Sequence, residues 1–127
     1  MATGFPAATG DILTAAAFNG LVAFTQNPQT GTSYTPVLTD QYQVIITRNN
    51  AGASTLTIPT NASVAFPNGC AITVLNKGAG AVTISGASGV TVLSAGATAA
   101  SPVLNQYKSC VLYKDATDTW YVVGAIA

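Results

Sequence analysis

From Tyr34 onward, turn residues divide the chain into short β-branched segments, and this pattern limits the fold more than any other feature. The segments recur at roughly ten-residue spacing, and clusters of Gly, Asn and Pro such as 49–52 and 67–69 end them. This arrangement predicts an all-β body, an antiparallel β-sandwich or barrel-like fold of short strands. The predicted strands cover residues 42–47, 55–58, 64–66, 72–75, 82–84, 90–93, 109–113 and 120–123.

Two details sharpen this prediction. Segments 72–75, 82–84 and 90–93 share apolar–Thr–apolar centres, but their short, irregular period favours a Thr-rich meander over a β-helix. Trp120 and Tyr121 are adjacent on a predicted strand, so they face opposite sides of the sheet. We expect one ring in the core and the other outward or against a neighbouring subunit.

Residues 1–30 have a different pattern. Thr14 is suited to cap a helix, and an Ala-rich run follows it, which predicts one helix near residues 15–24 that Asn27-Pro28 ends. A helix this short needs a packing partner. We therefore divide the chain into an attachment or oligomerisation segment, 1–30, and a β-rich body, 31–127. The expected virion-anchoring side chains are Leu13, Phe18, Leu21, Val22 and Phe24. Alternatively, the helix packs on its own sheet or forms the centre of a trimer.

Charge is scarce along the whole chain. Charged residues make up 6% of the sequence and the net charge is zero, whereas about 25% is usual. Eight charges on a folded surface of about 6,000 Å² predict a surface buried against copies of itself or other partners. The scattered cations exclude nucleic acid and anionic membrane surfaces as partners. No basic residue precedes Arg48, so we expect no secretory signal and folding in a cytosol.

The side chains that usually perform catalysis are largely missing. The sequence has no His and no Glu, so we expect no catalytic residues, no metal site and no cofactor. Asp115 and Asp118 are interpreted as turn residues, although a pair of catalytic carboxylates is the alternative. Gly78-Ala79-Gly80 is no phosphate loop, because no Lys-Ser/Thr follows it. Cys70 and Cys110 are expected to be buried free thiols.

Several segments resemble a module of tailed-phage virion proteins. The matching stretches are residues 10–19, 30–35, Asp40, 56–69, 78–84, 106–107 and 118–124, the last reading Asp118-Thr119-Trp120-Tyr121-Val122-Val123-Gly124. They contain turn glycines and strand residues, so they indicate a fold more than an activity. The resemblance covers about 95 residues from Thr30 to the end, besides the short N-terminal stretch.

The resemblance implies a non-enzymatic structural protein. One expectation is a head fibre or capsid decoration protein, a homotrimer on the capsid exterior that contacts the major capsid protein or another virion protein. Such a protein would be made in the cytoplasm of the host bacterium. The alternative is a tail-fibre or tailspike module that contacts host glycans. Because the module follows directly after its own Met1 and short N-terminal segment, the first expectation is favoured.

Overall fold

Strands dominate the part of the chain that the structure, a computed structural model, describes: Ala15 and residues 24–127. A 3₁₀ turn, Leu38–Asp40, is the one helical element bounded within that part. The strands are β1 Thr25–Gln29, β2 Ser33–Tyr34, β3 Val44–Arg48, β4 Ser54–Ile58, β5 Ala71–Asn76, β6 Val82–Gly86, β7 Thr91–Ser94, β8 Val103–Leu104, β9 Ser109–Ala116 and β10 Thr119–Gly124.

The strands form two sheets. The six-stranded sheet has the order β1-β3-β5-β9-β10-β7, and the four-stranded sheet has the order β2-β4-β6-β8. The predicted all-β class is therefore confirmed. The predicted antiparallel pairing is wrong for much of the molecule, because β1-β3-β5, β2-β4-β6 and β7-β10 are parallel.

The parallel strands belong to three stacked coils. The chain alternates between sheets, so that β1–β2, β3–β4 and β5–β6 each make one coil above the previous one. Ile45 pairs with Thr73 and Ser54 pairs with Val82, the same sequence offset in both sheets. The predicted meander of β5, β6 and β7 is wrong, because these three strands are not paired with one another. Their turns carry the chain to the other sheet instead of back along the same one.

Glycines permit the close stacking of successive corners. A Cβ at Gly80 would lie 1.8 Å from the carbonyl oxygen of Gly52, and a Cβ at Gly78 would lie 2.4 Å from the backbone N and O of Asn50. The Gly80 N–H donates to the Asn50 carbonyl at 3.0 Å. Because backbone approaches backbone here, only glycine fits at these two positions.

Antiparallel strands complete both sheets. β9 pairs with β5 and with β10, and β8 pairs with β6. The β9–β10 hairpin confirms the predicted pairing of the last two strands. Its turn contains Asp118 in the left-handed region, with φ 57°, which Asp tolerates better than most residues.

Inward side chains of both sheets share one core. Trp120 is 1% exposed and its ring meets that of Phe66 edge to face, with centroids 5.6 Å apart. Tyr121 is 43% exposed, so the prediction that the two adjacent rings face opposite sides is confirmed. The predicted strand at 64–66 is wrong. The backbone N–H groups of Ser63 and Val64 donate to the Thr60 carbonyl in a turn, and Phe66 enters the core from that loop.

The N-terminal prediction is tested only at its end. The helix expected near residues 15–24 falls outside the described residues except at Ala15 and Phe24. Asn27 and Pro28, expected to end that helix, lie in β1 instead. Pro28 is tolerated there because β1 is an edge strand. The β sheet thus begins at Thr25, and the attachment role of 1–30 stays a prediction.

Candidate functional site

An apolar patch on the outside of the six-stranded sheet is the most prominent surface feature. Tyr121 of β10 lies between Tyr113 of β9 and Leu93 of β7, and Val123 pairs with Val111 in the next outward row. We call these five residues the outer face. Four of them are 37–46% exposed, and the only charged side chain at the outward positions of β7, β9 and β10 is Asp115, at the end of β9. Contiguous exposed apolar residues are typical of interaction surfaces.

A groove continues the outer face toward the C-terminus. It encloses about 400 Å³ and is lined by Leu93, Ser94, Ala95, Tyr121, Val122, Val123, Gly124 and Ile126. None of these side chains is charged. Ile126 packs against the core, and the Ala127 N–H donates to the Val103 carbonyl at 2.9 Å. The groove can therefore accept an apolar group, but its lining offers no acid, base or nucleophile in a catalytic arrangement.

A buried carboxylate holds the loop before β3. Asp40 is 2% exposed, and it accepts hydrogen bonds from Asn27 Nδ2 at 2.7 Å, the Tyr34 hydroxyl at 2.5 Å and the Val37 N–H at 2.9 Å. Burial, followed by the hydrogen bond to Asp40 and its charge, raises the pKa of Tyr34 to about 12. Since the carboxylate already has three donors, it is suited to fix β1 and the 3₁₀ turn together rather than to react.

Arg48 is a buried cation with unused donors. Its side chain is 1% exposed, and Nη2 donates to the Gly31 carbonyl at 2.9 Å. Nε and Nη1 have no hydrogen-bond partner within the described part of the chain. Burial lowers the pKa of Arg48, and the nearby Tyr34 opposes that effect. Arg48, at the end of β3, thus connects its corner with the corner at Gly31 through one hydrogen bond, while two of its three nitrogens have no described partner.

Lys114 is a second buried cation, at the end of the core nearest the β9–β10 turn. It is 3% exposed, and Nζ donates to Asn61 Oδ1 at 2.6 Å and to the Phe66 carbonyl at 2.5 Å. The Asn61 backbone N–H in turn donates to Asp118 Oδ1 at 2.7 Å. Asp118 thus bonds to a distant loop instead of its own turn, which differs from the expectation for a turn Asp.

The sequence analysis missed this cluster, although one signal was present. Cys110 and Leu112 alternate on the buried side of β9, and Lys114 continues the same alternation. A period-two pattern therefore places Lys114 inward. Nothing in the sequence indicates that Asn61, which lies 53 residues away, is its partner.

The predicted anchoring residues are mostly untested. Phe24 is 60% exposed, as an anchoring side chain must be in the isolated protein. Leu13, Phe18, Leu21 and Val22 lie outside the described residues. Their role stays a prediction.

The thiols are those of ordinary core residues. Cys70 and Cys110 are both buried and unpaired by a disulfide, as predicted. Cys110 pairs with Val74, while Cys70 precedes Ala71, which pairs with Tyr113. That offset separates the two cysteines by roughly 13 Å along the strands, too far for a disulfide. Burial raises the pKa of Cys110 to about 12 and also raises that of Cys70, so neither is an activated nucleophile.

The described residues, Ala15 and 24–127, contain neither a candidate metal site nor a candidate membrane span. No three His, Cys, Asp or Glu side chains there are grouped so that they could bind one metal ion. None of the helical segments there has the length and hydropathy that crossing a membrane requires. The chain matches no protein-family model, no curated protein and no solved structure. The candidate site is therefore defined by this chain's own geometry, as an uncharged apolar face beside an apolar groove.

Proposed function

We propose that the protein is a non-enzymatic structural protein of a tailed-phage virion, a head fibre or capsid decoration protein that binds the capsid exterior as a homotrimer. The observation that carries the proposal is the outer face, an exposed apolar surface almost free of charge. A permanent contact within an assembly buries such a surface. The phage assignment follows the sequence resemblance.

The distribution of charges supports burial of the surface in an assembly. Asp40, Arg48 and Lys114 are buried, so at most five charges remain for the surface. An accessible surface of 6846 Å² then carries one charge per roughly 1,400 Å². This density is lower than the sequence alone indicated, because three of the eight charges serve inside the molecule. Such a surface repels other copies weakly, which favours self-association.

The oligomeric state tests the first part of the proposal. Light scattering on a size-exclusion column is expected to give the mass of a trimer at micromolar concentration. Tyr121→Ser should shift the protein toward monomers, because Tyr121 lies at the centre of the outer face. Lys77→Ser is a matched control at an exposed position away from this face. A monomeric wild-type protein would contradict the proposed assembly.

Binding to the particle tests the second part. We expect residues 1–30 to contribute the anchor, with Phe24 as its exposed described residue. A truncation that begins at Thr25 removes all five expected anchoring residues and keeps β1, and therefore the first coil. Added to phage particles that lack the protein, the full chain should bind the capsid and the truncated chain should not. Cryo-electron microscopy of the decorated particles would locate the density on the head, and density confined to the tail would reject the decoration role.

One observation favours the second candidate, a tail-fibre or tailspike module that contacts host glycans. Tyr107 is 79% exposed, and Tyr113 and Tyr121 are also exposed. Aromatic rings of this kind stack on sugars. A glycan array is expected to be negative under the capsid proposal. Reproducible binding that Tyr107→Ser abolishes would favour the tail module instead.

A further inference from the structure

Lys114 and Asn61 place an amine next to a side-chain amide. The distance from Lys114 Nζ to Asn61 Oδ1 is 2.6 Å. The C=O bond is about 1.2 Å long, so Nζ lies no farther than about 3.8 Å from the amide carbon Cγ. Because a lysine amine only donates when charged, the oxygen of Asn61 and not its nitrogen must face Nζ. This upper limit is slightly longer than the roughly 3–3.5 Å of a near-attack geometry, so a small movement of either side chain brings Nζ to Cγ.

We propose that Lys114 and Asn61 form an intramolecular isopeptide bond. The neutral Lys114 amine attacks Cγ of Asn61 and forms a tetrahedral intermediate. The Nζ–Cγ bond forms, the Cγ–Nδ2 bond breaks, and Nδ2 leaves as ammonia with the proton that Nζ gives up. The product is a secondary amide, and no oxidant, reductant or other reactant is needed.

The surroundings of Lys114 favour this product. The side chain is 3% exposed, and the partners of Nζ are two neutral oxygens, Asn61 Oδ1 and the Phe66 carbonyl. Burying an ammonium group with neutral partners is costly. Starting from the ammonium form, Lys114 gives up one proton before the attack and the departing ammonia takes up one, so the net reaction leaves a neutral amide in the buried site and releases an ammonium ion. Phe66, whose carbonyl is the second acceptor of Nζ, has its ring packed edge to face on Trp120 in the core.

Asp118 positions the reacting amide. Its Oδ1 accepts the Asn61 backbone N–H at 2.7 Å, which fixes the start of the Asn61 loop over β9. Asp118 has a left-handed backbone in the hairpin turn, with φ 57°. An Asn at this position could accept the same hydrogen bond and tolerates the same backbone, whereas an Ala could not. Asp118 is therefore assigned a positioning role.

Intact mass spectrometry of the purified full chain tests the bond directly. We expect the wild-type mass to be about 17 Da below the sequence mass, since one ammonia is lost. Lys114→Arg and Asn61→Ala should each have their full sequence mass. Lys108→Arg, which replaces an exposed lysine on a neighbouring segment, is the matched control and should retain the loss.

The test must distinguish this bond from a succinimide at Asn19-Gly20 or Asn68-Gly69, which loses the same mass. A succinimide persists in Lys114→Arg, whereas the isopeptide does not. Proteolysis should also release a branched peptide that joins the Asn61 and Lys114 segments. A wild-type protein that keeps its full mass after prolonged incubation in the folded state overturns the proposal, and so does a mass loss that Lys114→Arg retains.

The rate of the mass loss tests the role of Asp118. In freshly refolded protein, Asp118→Ala should slow the conversion by at least about tenfold, because a loosened amide spends less time in reach of Nζ. Asp118→Asn should restore a rate near that of the wild type. Equal rates in all three proteins would refute the positioning role. A less stable Asp118→Ala that converts at the wild-type rate would show that Asp118 only stabilises the fold.

Discussion

The three parallel coils and the antiparallel β8–β10 region build the same two sheets by different physical means. In the coils, which run from Thr25 to Gly86, backbone stacks on backbone, and the corners at Asn50–Gly52 and Gly78–Gly80 meet without intervening side chains. In the β9–β10 hairpin, side chains make the long-range connections, through Lys114 and Asp118 to the loop at Asn61.

The two buried arginine and lysine side chains show the consequence of this difference. Arg48, at a coil corner, makes one hydrogen bond to Gly31 and leaves Nε and Nη1 without described partners. Lys114 has two short hydrogen bonds to a loop that β9 must hold. At the stacked corners the coils depend on shape, meaning close backbone packing. The first coil also contains the polar contacts of Asp40, whereas the hairpin holds the Asn61 loop by polar contacts. Substitutions in the two regions should therefore have different effects.

The largest expected effect is at the stacked corners. Gly80→Ala places a Cβ 1.8 Å from the Gly52 carbonyl oxygen, so one coil must move away from the next. We expect a loss of at least about 3 kcal/mol in the free energy of unfolding, measured by urea denaturation.

The matched control for this prediction is Gly52→Ala, on the facing corner. Its Cβ would lie 3.5 Å from Asn50 Oδ1, an ordinary contact. The expected change is within about 1 kcal/mol. Similar losses in both variants would show that the corners are not closely stacked.

The next effect compares the two buried cations. Measured in freshly refolded protein, before the proposed isopeptide bond forms, Lys114→Met leaves the Asn61 and Phe66 oxygens without their donor, so we expect a loss of about 2–4 kcal/mol. Arg48→Met leaves only the Gly31 carbonyl without a donor and removes two unpaired N–H groups. Its expected loss is smaller, about 1–2 kcal/mol. Chemical denaturation of both variants measures the difference, and a reversed order would contradict the proposed division between shape and polar contacts.

The sequence predicted the strands well and their pairing poorly. Leu56, Ile58, Ile72 and Val74 alternate with Thr, and that alternation is sufficient to predict β4 and β5 and their buried faces. Whether a Gly-rich turn makes a hairpin or a corner depends on what the turn packs against. Gly80 is a corner because Gly52 lies beneath it, and that neighbour is a product of the fold.

Much of the candidate site was equally hard to predict. One of Trp120 and Tyr121 was expected to face outward or a neighbouring subunit, because the two are adjacent on a strand. Its neighbours Tyr113 and Leu93 could not be predicted, since β7 joins β10 in parallel across a long connection. Lys114 and Asn61 both lay outside the predicted strands 55–58, 64–66 and 109–113, so nothing in the prediction brought them together. The resemblance to phage proteins indicated a function class but no contacts.

A third prediction concerns pH and the first coil. The pKa of Tyr34 is raised from 10.0 to about 12, so the unfolded state loses this proton at a lower pH than the folded state. The contribution of Tyr34 to stability is complete below pH 10 and is lost as pH rises toward 12.

Urea denaturation across this pH range should therefore show that the free energy of unfolding falls more steeply with rising pH in the wild type than in Tyr34→Phe. The buried thiols ionise in the same range, but they are common to both proteins and cancel in the comparison. Tyr113→Phe is the control, because Tyr113 is an exposed tyrosine of β9, in the antiparallel region. Parallel curves for wild type and Tyr34→Phe would show that neither the burial of Tyr34 nor its bond to Asp40 shifts its ionisation in solution.

The smallest effects are expected at two exposed tyrosines with a left-handed backbone, one in the coils and one in the antiparallel region. Tyr42, before β3, and Tyr107, before β9, have φ of 62° and 64°. Their N–H groups donate at 2.7 Å to the Ala71 and Asn76 carbonyls at the two ends of β5. Glycine keeps both hydrogen bonds and removes the strain, while it increases the entropy of the unfolded chain. Tyr107 is 79% exposed and Tyr42 is 52% exposed, so only Tyr42 has much packing to lose. We expect Tyr107→Gly to change the free energy of unfolding by less than about 0.5 kcal/mol, and Tyr42→Gly to lower it by about 1 kcal/mol. Thermal and urea denaturation measure both. An equal loss at the two positions would mean that the Tyr107 ring also packs in solution, and the antiparallel region would then depend on shape as the coils do.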